Sequence, residues 1–192
     1  MKLITPDRQT IIITVLVFFI AYFVSLLIWI HIKDYYGYAV TFISSSVVGL
    51  FKEAKIEEMV KIKDVVRATF YSPLSTRPDM LVDINVMTSK YTFNVPLTLG
   101  IMTSMYFFIV RRLRAFSEAL LLLICIHLLF VMSLEYKVLT ESFMQTHVEP
   151  FSQSRLFLSQ FLWSFTDNMV IRFEPFLIGF YLFIRFRRQV DG

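Results

Sequence analysis

The sequence predicts a mainly α, polytopic membrane protein, with four transmembrane helices and a small extracytoplasmic module of one helix plus a β-hairpin. Two observations predict this class. The 192 residues are 56% hydrophobic and 17% aromatic with only 18% charged, and the mean hydropathy is +0.63, outside the usual range of soluble globular chains. The charges also fall between apolar blocks rather than along amphipathic faces. This composition argues against a soluble enzyme, and 5 Gly against 21 Phe is unlike a Gly-rich nucleotide-binding fold. The net charge of +4 is not a nucleic-acid signal, because the Lys and Arg residues are short stops at the ends of apolar runs rather than one gathered surface. The partner implied by composition is the lipid bilayer.

The first span is Ile11 to Ile32, an uncharged run long enough to cross a hydrocarbon core that needs roughly 20 residues. Its length, and its end in Trp29, His31 and Lys33, suit an uncleaved anchor rather than a signal peptide. Tyr91 to Val110 is the expected second span, with Pro96 in its first turn, where a missing N–H costs little. Arg111, Arg112 and Arg114 stop it, and Ala115 to Glu135 forms the third span, antiparallel to the second across this short turn. The last apolar region, Leu156 to Phe186, contains Asp167, Arg172, Glu174 and Pro175. A break is expected near Pro175, with Leu156 to Phe165 as a lead-in helix and the fourth span from about Asp167 to Arg185.

With the N-terminus inside, segments 1–10, 111–114 and 185–192 carry 8 Lys or Arg in 22 residues, whereas 33–90 and 137–155 carry 10 in 77. The positive-inside rule then places both termini in the cytoplasm. The chain divides into 1–34 (tail and first span), 35–90 (extracytoplasmic helix and hairpin) and 91–136 (the helical pair). An outer loop, 137–155, precedes 156–192, which holds the lead-in helix, fourth span and basic tail. Tyr35 to Phe51 could cross the membrane, but its Ser44, Ser45 and Ser46, with Val40, Ile43, Val47 and Leu50 at helical spacing, suit an amphipathic helix on the outer interface. Val65 to Tyr71 and Met80 to Met87 read as two strands joined by a loop containing Ser72, Pro73, Ser75, Arg77 and Pro78. In the second strand Val82, Ile84 and Val86 alternate with Leu81, Asp83 and Asn85, giving one apolar face that should pack on the helix or on a partner.

The residues that could carry chemistry are the ionisable ones in the fourth span, since a charge near the bilayer centre persists only when paired or hydrated. Asp167, Arg172 and Glu174, beside Pro175, form a candidate polar cluster, either structural or a docking site for another membrane protein. A transport or channel path through them is the alternative. Cys125 and His127 are two apart on one helix and project about 200° from each other, so the pair is ill placed as nucleophile and base. His127 is better placed to bond across helices, to Asp167 or Ser164. Neither the three dispersed His nor the single Cys suggests a metal site, and no cofactor motif is found. The reading is non-enzymatic.

The order of parts, with the stretch DINVMTSKYTFNVPLTL from Asp83 to Leu99 and the closing FEPFLIGFYLFIRFRR from Phe173, resembles the exosortase H-associated membrane proteins. Tyr91, Val95, Pro96 and Leu97 carry the match, and Asn94 stands where that family usually has Gly. The resemblance implies an accessory role beside an exosortase, a membrane enzyme that processes C-terminal sorting signals on exported proteins. Exosortases rely on Cys, Arg and His on separate helices, whereas Cys125 and His127 share one. The chain would be a companion and not the enzyme.

Overall fold

In the computed structural model, residues 7–73, 80–110 and 112–186 are described. The expected loop residues Ser75, Arg77 and Pro78, and the basic stops Arg111, Arg187 and Arg188, lie outside them. The chain is mainly helical with one three-stranded antiparallel sheet. In order it forms α1 (Arg8–Phe51), β1 (Lys55–Ile62), β2 (Val65–Tyr71), β3 (Leu81–Met87), the single turn α2 (Ser89–Thr92) and α3 (Asn94–Ser104). A 3-10 turn (Met105–Phe107), α4 (Arg112–Gln145), α5 (Gln153–Phe165), a π-helical turn (Thr166–Val170) and α6 (Ile171–Phe186) complete it.

Among the described residues, two helices are long and apolar enough to cross a membrane, the 44 residues of α1 and the stretch Leu113–Gln145 of α4. The other two expected spans are not single long helices. Tyr91 to Val110 is helical as α3 over 11 residues, about 16 Å at 1.5 Å per residue and short of a ~30 Å core. The fourth region has no break at Pro175, which is buried inside α6. The irregularity lies upstream, where the wide turn closes with Ile171 N–H donating to the Thr166 carbonyl. Ile171 is the residue four before Pro175, whose carbonyl a proline cannot serve.

The chain forms two compact units. One comprises Met1–Ile32, Phe93–Ile124 and Phe173–Gly192; the other comprises Lys33–Thr92 and Cys125–Arg172. In the first, small residues set close approaches. A Cβ on Gly100 of α3 would lie 3.2 Å from Tyr22 Cβ of α1, and one on Gly179 of α6 would lie 2.9 Å from Ile101 Cγ2 of α3. At one end of this unit Tyr181 Oη donates to Glu118 Oε2 at 2.8 Å, Arg185 pairs with Glu118 at 3.1 Å, and Val110 N–H donates to the Phe186 carbonyl.

The second unit holds the sheet, in the order β1-β2-β3. β2 and β3 are the expected pair, with Val66, Ala68, Phe70, Val82, Ile84 and Val86 on the buried face. They share a core with Val40 and Val48 of α1, and with Phe130, Val131, Leu139 and Phe143 of α4. The hairpin expected from sequence is therefore a three-stranded sheet. β1 escapes the alternation test because its register shifts between Ile56 and Glu58, so the partly buried Ile56 and Met59 stand three apart.

The expected separate helix over Tyr35 to Phe51 is instead the second half of α1, and its protein-facing side mixes the two expected sets: Val40 is buried and Val47 half-buried, together with Ser44 and Ser45. Gly37, Val40, Thr41, Ser44, Ser45, Val48 and Gly49 are buried, while Ile43 and Leu50 are exposed. Small side chains on the packed face allow close helix approach, and the serines find partners there, so polarity alone misassigns the face.

Candidate functional site

The polar residues expected in the last helices each have their own surroundings. Asp167 lies in the π turn, its Oδ1 4.0 Å from Lys90 Nζ, and the same ammonium sits 5.9 Å from the centroid of the Trp163 ring. Among the described residues, no ion pair joins Asp167 to Arg172, which is exposed. Glu174 is fully buried, and its Oε2 accepts a hydrogen bond from Asn94 Nδ2 at 3.3 Å. Sequence reasoning missed Lys90 and Asn94 as partners. Both lie in the stretch that carries the family resemblance, one helical turn apart, flanking Tyr91.

Of the four residues in that match, Tyr91, Val95 and Pro96 are buried and Leu97 is half-buried. Tyr91 has the clearest role: its Oη donates to the Gly37 carbonyl at 3.2 Å, which also accepts from Thr41 Oγ1 at 2.8 Å. A glycine at 37 opens this carbonyl to a tyrosine from another element.

Around Tyr91 a polar seam runs between the second half of α1 and α4. Tyr36 Oη and His127 Nδ1 share a hydrogen bond of 2.6 Å, and the Tyr91 ring lies 5.0 Å from that imidazole. A little over two turns further along α1, the adjacent Ser44 and Ser45 follow: Ser44 Oγ donates to the Leu128 carbonyl at 3.3 Å and Ser45 Oγ to Glu135 Oε1 at 2.5 Å. The seam ends at Lys52, buried, whose Nζ lies 3.0 Å from Glu149 Oε1 and 4.5 Å from the Tyr136 ring centroid. Buried polar groups in such a chain fix the register of one helix on another, because slipping by a turn would leave each of them without its partner.

Cys125 is exposed while His127 is fully buried, so the two occupy different faces of α4 as their spacing requires. Among the described residues no group of three His, Cys, Asp or Glu side chains is placed to hold a metal ion.

Two exposed surfaces complete the description. Along the first half of α1, Ile20 and Leu27 are 64% and 65% exposed, and none of its most apolar window is buried. Along the second half, Tyr35, Tyr38, Phe42, Ile43, Leu50 and Phe51 form an exposed apolar stripe, reaching 82% at Leu50. No family model matches this chain, and no curated protein or solved structure matches it.

Proposed function

We infer that this is a non-enzymatic, multi-pass membrane accessory protein that presents its sheet-bearing module outside the cytoplasm and docks there to a second membrane protein. The observation that carries this reading is the apolar stripe on the second half of α1. At 1.5 Å per residue α1 is about 66 Å long, more than twice a ~30 Å hydrocarbon core. With Ile11 to Ile32 in the bilayer, the stripe from Tyr35 to Phe51 extends beyond it. Contiguous exposed aromatic and aliphatic side chains in water mark a protein interface.

The Lys and Arg balance favours cytoplasmic termini and an outer module, in a bacterial cytoplasmic membrane. Four crossings remain our reading. α1 and α4 supply two, the broken helical path from Ser89 to Phe107 a third, and the path from Gln153 to Phe186 the fourth. The likeness at Tyr91, Val95, Pro96 and Leu97 makes an exosortase the partner of choice. The alternative is a transporter or channel subunit with a polar site at Asp167, Arg172 and Glu174.

The test is co-purification of a tagged exosortase with the wild-type chain and with Phe42→Ser and Leu50→Ser. We expect capture by the wild type and loss in both variants at unchanged membrane abundance. Equal capture by all three chains, or no capture by any, contradicts the reading.

A further inference from the structure

The sheet is tied to α1 at one end only among the ion pairs described. Lys33 Nζ lies 3.0 Å from Asp64 Oδ1, and Lys61 Nζ lies 2.7 Å from Asp34 Oδ2. The carbonyl of Asp64 also accepts from both the backbone N–H (2.9 Å) and the hydroxyl (3.0 Å) of Thr88, so the end of β3 is held at the same turn. Gly37 packs there too, since a Cβ at that position would stand 2.7 Å from Thr88 Cγ2. The α1 residues in these contacts, Lys33, Asp34 and Gly37, all fall within five residues of Ile32, the last residue of the uncharged run, which is about 8 Å of helix rise.

At that end of the sheet, Ile62, Val65 and Met87 stand side by side in register. Ile62 is 45% exposed and Met87 52%. Lys61 and Lys63 flank Ile62 and are both exposed, and Lys63 holds the two-residue β1–β2 turn at φ 53°. Apolar side chains bracketed by lysines suit the lipid headgroup layer, where aliphatic groups sink ~5–10 Å toward the acyl boundary and ammonium groups stay at the phosphates.

The geometry points to a second membrane contact: the β1–β2 turn and the end of β3, through Ile62 and Met87, rest on the outer lipid surface of the bilayer that α1 crosses. The occupant of this apolar end is the lipid headgroup region, because the ion pairs to Lys33 and Asp34 hold the turn at the level where the span ends. The contact rests on the reading that Ile11 to Ile32 spans the membrane.

The experiment uses the full chain with Cys125→Ala, carrying one environment-sensitive thiol probe at Ile62→Cys, Met87→Cys, Leu81→Cys or Leu27→Cys. Each is reconstituted in phosphatidylethanolamine and phosphatidylglycerol nanodiscs containing phosphatidylcholine spin-labelled near the headgroup or deep in the chain. All four positions are exposed in the fold, so the substitutions are tolerated. Leu81 is equally exposed but lies six residues along β3 from Met87, about 20 Å away. We expect blue-shifted emission and loss of intensity with the shallow quencher at positions 62 and 87, neither change at 81, and loss with the deep quencher at 27. Quenching at 27 with none at 62 and 87, or equal quenching at 62, 81 and 87, overturns the inference and leaves the span intact. Absence of quenching at 27 removes the span itself, and the inference with it.

Discussion

At the scale of single residues, the most consequential polar contact is Lys52 with Glu149, whose side chains are 4% and 18% exposed. Removing one partner of a buried pair strands the other charge, which costs about 3–5 kcal/mol, whereas replacing both with apolar residues is far milder. Glu149 keeps Arg155 Nη1 at 3.7 Å when Lys52 is lost, whereas the buried Lys52 loses its ion pair when Glu149 is lost. Glu149→Met should therefore strongly lower the thermal unfolding midpoint in detergent, and Lys52→Met with Glu149→Met should recover most of the loss. Additive losses would show that the pair is not coupled. The surface pair of Asp34 and Lys61 behaves differently. The hydrogen bond from Lys61 holds the Asp34 carboxyl below its ordinary range. A depressed folded-state value stabilises above the unfolded value near 3.9 and loses that stability as pH falls through the folded value. Asp34→Asn should slightly lower the unfolding midpoint at neutral pH and flatten the acid limb below about pH 4, so that the two chains converge in acid, read by unfolding midpoints across a pH series. The identity of ionisable residues in the last helices was legible from the sequence, but their partners were not. Lys90 and Asn94 are some 70 to 80 residues distant from Asp167 and Glu174, and helical spacing reports only on neighbours within one element.

At the scale of elements, the sequence was most informative where burial follows a simple period. β2 and β3 match their expected ranges to within a residue, because Val82, Ile84 and Val86 alternate cleanly. β1 was illegible for two local reasons: a bulge interrupts its alternation, and Lys63 with Asp64 makes a two-residue turn without the Asn-Gly or Gly signal that usually marks one. The second half of α1 misled in a third way. Its packed face is set by size, and Ser44 and Ser45 face inward where hydropathy would turn them outward. Close packing gives glycine substitutions unequal costs. A Cβ at Gly49 would meet the Ala54 backbone oxygen at 2.8 Å, and backbone cannot move aside as a side chain can; at Gly37 the obstacle is the Thr88 side chain. Gly49→Ala should destabilise by about 1–3 kcal/mol, and by more than Gly37→Ala, measured by chemical unfolding in detergent. The reverse order would show that the α1-to-β1 connection yields.

At the scale of the whole molecule, the mainly helical make-up with a small sheet was readable because long apolar runs and short alternating segments each leave their own period in the sequence. The number of long apolar helices was not, since a broken helical path and a long helix have similar composition; α3 and α6 have 11 and 16 residues. The central claim is that α1 crosses the bilayer once and that everything from Lys33 to Thr88 lies outside. The most direct measurement is labelling of single cysteines in intact cells with a membrane-impermeant maleimide, in the Cys125→Ala chain, at Glu53, Thr146 and Leu113. The account predicts labelling at Glu53→Cys and Thr146→Cys in intact cells, and at Leu113→Cys only after the membrane is permeabilised. Protection of Glu53→Cys in intact cells, with labelling after permeabilisation, would place the sheet in the cytoplasm and contradict it.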